Sequence, residues 1–530
     1  MVGSTVRHLS GSDAIFVEAA FPRISHVPGG DLSVSPGSFS RSAHEPAGPA
    51  AAGARGMPPL YVDLDGTLTY TDLLLESVLL LLRRNPLYLF LLPLWLLRGR
   101  GWLKTQLARR VEPDVALLPY NAQLLDWLRQ QRAAGRRLVL ASASHRSLVE
   151  MVAAHLGLFD AALGSDADRN LKAGGKLRAI EADAGGGFAY VGNSAADLAV
   201  WRQADEIVVV NASAAVLRQA QRLRAPSLVI PRRPFRPQLV MRALRLHQWA
   251  KNVLLFVPLL AAHELDPQRW LVTLAAFVAF GMCASATYVI NDLFDLTADR
   301  AHPRKHARPF ASAALGIPFG AGLAAVLLPL ALLLSAWIAP AFFGMMLLYV
   351  AATLAYSMRL KQVAIVDVLV LALLYTHRVV AGGIVSAIVV SNWLLAVSLF
   401  VFLSLALVKR CVELEAMNGA GVTALAGRGY RSTDLPYLIS MGIASGFVAV
   451  LLLALYVDSQ IGSVMYPHVE LLWLILPVAL FWIMRLWLKI ARMEIHDDPL
   501  MFAIRDRASW IAAAAIVCIA AAAALPWGLP

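Results

Sequence analysis

The stretch that decides the fold reads Asn291-Asp292-Leu293-Phe294-Asp295-Leu296-Thr297-Ala298-Asp299-Arg300-Ala301-His302-Pro303-Arg304-Lys305-His306-Ala307-Arg308-Pro309. It follows directly on an apolar run, Trp270 to Ile290, long enough for a membrane helix. Asp292, Asp295 and Asp299 are spaced i, i+3, i+7, so a helix continuing through them sets all three on one face. Carboxylates crowded at a membrane helix end repel one another unless a cation neutralises them. Hard divalent cations such as Mg²⁺ prefer oxygen ligands of this kind, commonly shared with a substrate phosphate. Arg304, Lys305 and Arg308 follow at once and suit phosphate oxygens. The rival reading, a solvated loop of helix-capping acids, accounts poorly for three acids on one face with a basic run straight after.

Outward from this stretch the composition divides the chain. It has 530 residues, 58% of them hydrophobic, and a formal charge of +12. The mean hydropathy of +0.61 points to a membrane protein, but the apolar residues are unevenly placed. From about residue 250 apolar runs dominate, with nine candidate spans near 252–263, 270–291, 316–338, 341–357, 364–386, 392–408, 435–457, 467–488 and 509–527. The first is short. Their connections split by charge. One side carries Arg300, Arg304, Lys305, Arg308, Arg359, Lys361, Lys409, Arg410, Arg428, Arg431, Lys489, Arg492, Arg505 and Arg507; the other shows Arg269 and little else. The positive-inside bias then places the charged loops, and everything before residue 250, on the cytoplasmic side of an inner cell membrane. The basic excess is loop charge facing anionic lipid, not a nucleic-acid surface. Cys283, Cys411 and Cys518 are far apart and show neither metal-ligand spacing nor a disulfide framework.

More polar groups gather at the charged end. Tyr356 and Lys361 close the fourth span, Asp367 opens the fifth, and Lys409, Arg410 and Glu413 follow the sixth. His496-Asp497-Asp498-Pro499 precedes the last. Arg378 lies inside an apolar helix, where an ionisable group is costly; a ligand role and interhelical pairing are both open.

Residues 1–56 are rich in Gly, Ser, Pro and Ala, and read as a disordered extension. At residue 60 the text changes. Leu60-Tyr61-Val62-Asp63-Leu64-Asp65-Gly66-Thr67 is a short apolar strand running into a polar turn. Further strands are expected at Arg137 to Ala141, Phe188 to Val191, Ile207 to Val210 and Leu228 to Ile230, with helical patterns between several of them. That alternation predicts a parallel sheet covered by helices, with its site beyond the carboxyl ends of the strands. Asp63, Asp65, Ser142, Asn193 and Asp197 fall at those ends. Between residues 72 and 120 two apolar runs, Leu73 to Leu82 and Leu87 to Leu97, are split by Arg83-Arg84-Asn85-Pro86. Each is too short to span a bilayer; the segment is either a buried helical hairpin or a cap lying in the membrane surface. Residues 212–240 read as a basic, proline-stiffened linker.

Two resemblances sharpen this. Asn291-Asp292, Asp295 and Asp299 resemble the first aspartate-rich motif of the UbiA superfamily of intramembrane prenyltransferases, and Tyr356 to Lys361 resembles that superfamily's lysine motif. Leu246-His247-Gln248-Trp249-Ala250-Lys251-Asn252 and His302 to Pro309 look like the branch that makes decaprenyl-phosphate phosphoribose. The resemblance covers roughly residues 240–530. It implies a nine-helix bundle over 241–530, Mg²⁺ held by Asn291, Asp292, Asp295 and Asp299, and transfer of phosphoribose from phosphoribosyl diphosphate to a polyprenyl phosphate. Lys251, Arg304, Lys305, Arg308, Tyr356, Lys361, Arg378 and Lys409 would meet the anionic substrates. Aromatic prenyltransferases of the superfamily carry a second acidic motif after the sixth span, where this chain has one acid, Glu413, among basic residues.

Residues 57–211 resemble the haloacid dehalogenase superfamily of phosphatases: a Rossmann-like α/β domain with a cap, here 72–120. By that resemblance Asp63 is the nucleophile, Asp65 the acid and later base, Ser142 holds a phosphate oxygen and Lys176 neutralises charge. Asp63, Asp65, Asn193 and Asp197 form the Mg²⁺ set, with Asn193 where the superfamily usually has aspartate. The expected function is phosphoribosyl transfer to a polyprenyl phosphate, with the fused phosphatase hydrolysing a phosphomonoester such as the product's 5-phosphate. The alternatives are an aromatic-acceptor prenyltransferase and a membrane protein with a non-catalytic docking domain.

Overall fold

The computed structural model describes residues 57–166, 171, 174–418, 428–459, 466–495, 502–503 and 505–525. The N-terminal extension, His496-Asp497-Asp498-Pro499 and most of the loop after residue 459 lie outside them.

The first domain is built on six parallel strands: β1 (Leu60–Val62), β2 (Leu138–His145), β3 (Ala161–Ser165), β4 (Ala189–Gly192), β5 (Glu206–Val210) and β6 (Leu228–Ile230), in the order β3-β2-β1-β4-β5-β6. The central strands are buried on both faces, as their unbroken apolar text requires: Leu60, Tyr61 and Val62 have no exposed surface. Helices α1 (Leu73–Arg84), α2 (Tyr88–Leu97) and α3 (Arg100–Ala108) form the cap. Around the sheet lie α4 (Ala122–Ala133), α5 (Arg146–Leu156), α6 (Gly174–Ala184), α7 (Leu198–Trp201) and α8 (Ala214–Leu223). The expected boundary at 211 falls short. β6 pairs with β5 through Val208–Leu228, Val209–Val229 and Val210–Ile230. Residues 212–230 therefore complete the sheet, and the linker shrinks to the chain between Ile230 and Pro237. β3 was not expected; Ala-Ala-Leu-Gly-Ser is poor in β-branched residues and forms a half-buried edge.

The second domain is all-helical: α9 (Pro237–Leu244), α10 (Val257–Ala261), α11 (Pro267–Phe294), α12 (Leu296–Ala301), α13 (Ile317–Ile338), α14 (Pro340–Met358), α15 (Val366–Ser386), α16 (Asn392–Asn418), α17 (Leu435–Asp458), α18 (Ile475–Ala491) and α19 (Arg507–Ala524). Among the described residues, eight helices are long and apolar enough to cross a membrane. They cover eight of the nine expected spans. The remaining one, 252–263, is a 3-10 segment, Leu246–Phe256, running into α10. Its departure from a straight helix has a packing reason. The segment presses its backbone onto α15 at Gly382, where an added Cβ would lie 2.1 Å from the Leu255 carbonyl oxygen. Asp266 caps α11 by accepting from the Gln268 amide, with Pro267 in the first turn, so the helix starts cleanly and runs on to Phe294.

The cap packs on the helical domain. Leu75 and Leu79 of α1 join a cluster with Ala243, Val289, Leu293, Leu296 and Phe310. α1 therefore has two apolar faces, because Leu81 on its other side packs with Leu103 and Leu107 of α3. α2 is different. Leu87, Leu89, Phe90, Leu94, Leu96 and Leu97 are all more than half exposed. The buried-hairpin reading of this segment is thereby corrected for α2, which buries none of its residues.

Candidate active sites

In the first domain the turn after β1 carries the chemistry. Gly66 takes φ +77°, and a Cβ there would come 2.2 Å from the Asn193 amide, so the two loops close only over glycine. Lys176 on α6 donates to Asp63 at 2.6 Å and to the Tyr190 hydroxyl at 2.9 Å. The Tyr190 hydroxyl in turn donates to Asp197 at 2.7 Å. Thr67 donates to the other Asp63 oxygen at 3.1 Å. Burial pushes the Asp63 carboxyl above the ordinary carboxylate range, and the Lys176 ammonium opposes it. Ser142 and Ser144 both donate to Asp65, at 3.0 and 2.7 Å, and the Leu73 amide at the start of α1 donates at 2.8 Å. Asp63, Asp65, Ser142, Lys176, Asn193 and Asp197 thus meet at the carboxyl edge of the sheet. The oxygen donors suit Mg²⁺. Asp197 is already committed, however: it accepts from Tyr190, from the Asn193 and Ser194 amides and from the Ser194 hydroxyl. Asn193 turns its Nδ2 toward the Asp65 carbonyl at 3.4 Å.

The second site sits where α11 gives way to α12. Asp292 is buried and accepts from Arg245 at 2.5 Å and Arg308 at 3.2 Å. Arg308 also reaches Asp299 at 2.7 Å. Asp295 meets Lys361 at 3.0 Å and Arg83 of the cap at 3.4 Å. The three aspartates thus share a neighbourhood of guanidinium and ammonium groups. Asn291 is half-buried beside them. Among the described residues no three His, Cys, Asp or Glu side chains stand close enough to hold a metal as they are. The donors themselves, three carboxylates and an amide, fit Mg²⁺, and their present partners are cations of the kind a phosphate draws off.

Other expected residues fall around this centre. Tyr356 donates to Asp367 at 2.7 Å, and Arg410 and Arg428 pair with the same carboxylate at 2.7 and 3.1 Å. Arg428 also lies 3.5 Å from Glu413. Burial holds the Lys305 ammonium below its ordinary pKa, and the neighbouring Arg308 adds to this, with Asp299 and Glu413 opposing. Arg304 is exposed, and its backbone amide donates to His302. Arg378 is buried and bonds Asn252 at 3.1 Å and Tyr349 at 3.3 Å, over the rings of Phe280 and Tyr349. This is the interhelical pairing weighed above. Lys251 lies over the Tyr375 ring, which Arg378 also faces. Lys409 is half-buried next to Arg410. Sequence reasoning missed Arg245 and Arg83. Arg245 opens the motif at Leu246 in a left-handed conformation, φ +51°; Arg83 breaks two apolar runs that hold few other charges. Arginines at the borders of apolar runs were the available signal.

Fold and sites together define a membrane enzyme in which a phosphatase-like domain is joined to an intramembrane transferase. The UbiA prenyltransferase family matches residues 253–504, and haloacid dehalogenase-like hydrolases match residues 60–202. The uncharacterised protein y4nM of Sinorhizobium fredii is 37% identical over 468 residues, 86% of this chain and 89% of its own. Nodulation protein NoeC of Azorhizobium caulinodans is 35% identical over 52% of this chain and 88% of its own. Decaprenyl-phosphate phosphoribosyltransferase of Mycobacterium tuberculosis is 34% identical over 231 residues, 42% of this chain and 76% of its own. The chain belongs to the UbiA prenyltransferase family, with an N-terminal haloacid dehalogenase-like domain, and is a multi-pass membrane protein.

Proposed function

We propose that the helical domain transfers 5-phosphoribose from phosphoribosyl diphosphate to a polyprenyl phosphate, using Mg²⁺ bound by Asn291, Asp292, Asp295 and Asp299. The observation that carries this is the charge balance. Arg83, Arg245, Arg308 and Lys361 surround the aspartates, and Arg410 and Arg428 pair with Asp367 and Glu413. A site with so many cations suits two phosphate-bearing substrates, a diphosphate and a lipid phosphate, better than one diphosphate with an aromatic acceptor. Bound Mg²⁺ would neutralise charge on the leaving diphosphate. Lys361 and Arg308 hold the carboxylates in register and offer donors to phosphate oxygens. The soluble domain and both sites face the cytoplasm, by the charge asymmetry of the loops.

The lipid-linked ribose then still carries a phosphomonoester. Asp63 is set to take up that phosphoryl group, and Lys176 to hold its charge. Asp65 would give the leaving oxygen its proton and later take one from water. Membranes carrying the protein, given labelled phosphoribosyl diphosphate and Mg²⁺, should move label into lipid. Mass analysis should find polyprenyl-phosphoribose without the second phosphate, while Asp63→Asn stops at the phosphorylated lipid. Label that stays in water while an aromatic acid is prenylated would overturn the transferase reading. Identical products from both proteins would remove the phosphatase step.

A further inference from the structure

The phosphatase cap reaches into the transferase site. α1 carries Leu75, Glu76, Leu79 and Arg83 on one face: Leu75, Leu79 and Arg83 at i, i+4, i+8, with Glu76 three residues before Leu79 and seven before Arg83. All four point to the helical domain. Leu75 and Leu79 pack beside Val289 and Leu293 of α11. Glu76 is buried and binds Arg300 of α12 through both oxygens, at 2.6 and 3.2 Å. Two turns on, Arg83 donates to the Phe294 carbonyl at 3.2 Å and lies 3.4 Å from the Asp295 carboxylate. Arg83 keeps 37% of its side-chain surface exposed, so the guanidinium is anchored and still reachable.

We infer that Arg83, a residue of the soluble domain, is part of the transferase's anion-binding site, and that the Glu76–Arg300 pair is the latch that holds it there. The substrate group it would take is the diphosphate of the donor. Three carboxylates, Asp292, Asp295 and Asp299, face four cations, Arg83, Arg245, Arg308 and Lys361. Arg83 is the fourth, and it comes from outside the bundle. A diphosphate entering here offers oxygens to the same guanidinium, whose planar fork matches them better than a lone carboxylate oxygen at 3.4 Å. Arg300, occupied by Glu76, is a positioning residue and meets no ligand.

The inference rests on the aspartate-rich site being a diphosphate site, so the test separates the two. The probe is inorganic diphosphate with Mg²⁺, bound to the full-length protein in detergent and followed by calorimetry. Arg83→Ala should weaken binding roughly tenfold or more, the usual effect of losing a charge-assisted hydrogen bond. Arg83→Lys should recover part of it, because the charge returns without the fork. Glu76→Gln should weaken binding in the same direction although Glu76 touches no ligand. Thermal midpoints of all three variants identify any that have lost the fold. Wild-type affinity in Arg83→Ala overturns the inference, as does a wild-type protein that binds no Mg²⁺-diphosphate. Binding that depends on Arg83 in a protein that moves no phosphoribose upholds the inference and refutes the donor assigned above.

Discussion

Asp292 and Asp295 sit three residues apart and have unequal partners. Asp292 is buried beneath two arginines, whereas Asp295 is bound from the rim by Lys361 and Arg83. Replacing either by asparagine should abolish transfer, because a neutral amide holds Mg²⁺ far less well. Stability should separate them. Asp292→Asn leaves Arg245 and Arg308 short of a buried counter-charge. That costs about 1–3 kcal/mol, less than a fully buried pair because both arginines keep some contact with water. Asp295→Asn should unfold within about 1 kcal/mol of the parent, since its partners are rim groups. Chemical unfolding of the two variants beside a transfer assay at saturating Mg²⁺ checks this; near-normal transfer by either would end the metal assignment. The aspartates themselves were legible because 292, 295 and 299 lie close together in the text, although the single helix expected through them breaks at Asp295, where α11 ends and α12 begins. Their arginine partners were not, since Arg83 and Arg245 are brought from far up the chain by tertiary packing alone.

At the level of elements, α2 stands out. Pro93 lies inside it, few charges interrupt it, and it turns Phe90 and Leu97 outward at 73% and 84% exposure. An apolar helix left uncovered beside a membrane domain, with Arg98 stacked on Trp102 and Arg110 on Trp95, has the make-up of an interfacial helix. A nitroxide at Phe90→Cys, in a Cys518→Ala background that removes the exposed native thiol, should collide more with oxygen than with a water-soluble nickel chelate. The opposite preference would place α2 in water. Of the elements, the long apolar helices and β1 were readable from text alone, because burial on all sides leaves an unbroken apolar run. β3 and β6 were harder: edge strands are half-solvated and need less apolar text, so their membership is decided by the neighbour they pair with.

For the whole molecule, the basic loops predict orientation. In a Cys518→Ala background, a cysteine introduced between residues 457 and 467 should react with an impermeant maleimide added outside intact cells, and Arg304→Cys should not. The reverse pattern would put both sites on the wrong side for a cytoplasmic sugar phosphate. The same view revises the join between domains. A thirty-residue linker would let the phosphatase roam at millimolar effective concentration over the membrane. The structure leaves six residues between Ile230 and Pro237, a strap of roughly 20 Å at full stretch. Arg233 within it lies over the Tyr70 ring of the first domain and bonds the Ser312 carbonyl of the second. A domain moored this tightly does not search. On the proposed function the lipid product would make the journey, by sliding and turning in its own leaflet, from one fixed mouth to the next. The spacing of the two mouths along α1, on the order of 17 Å from Leu73 to Arg84, then becomes a ruler for the head group that can be served.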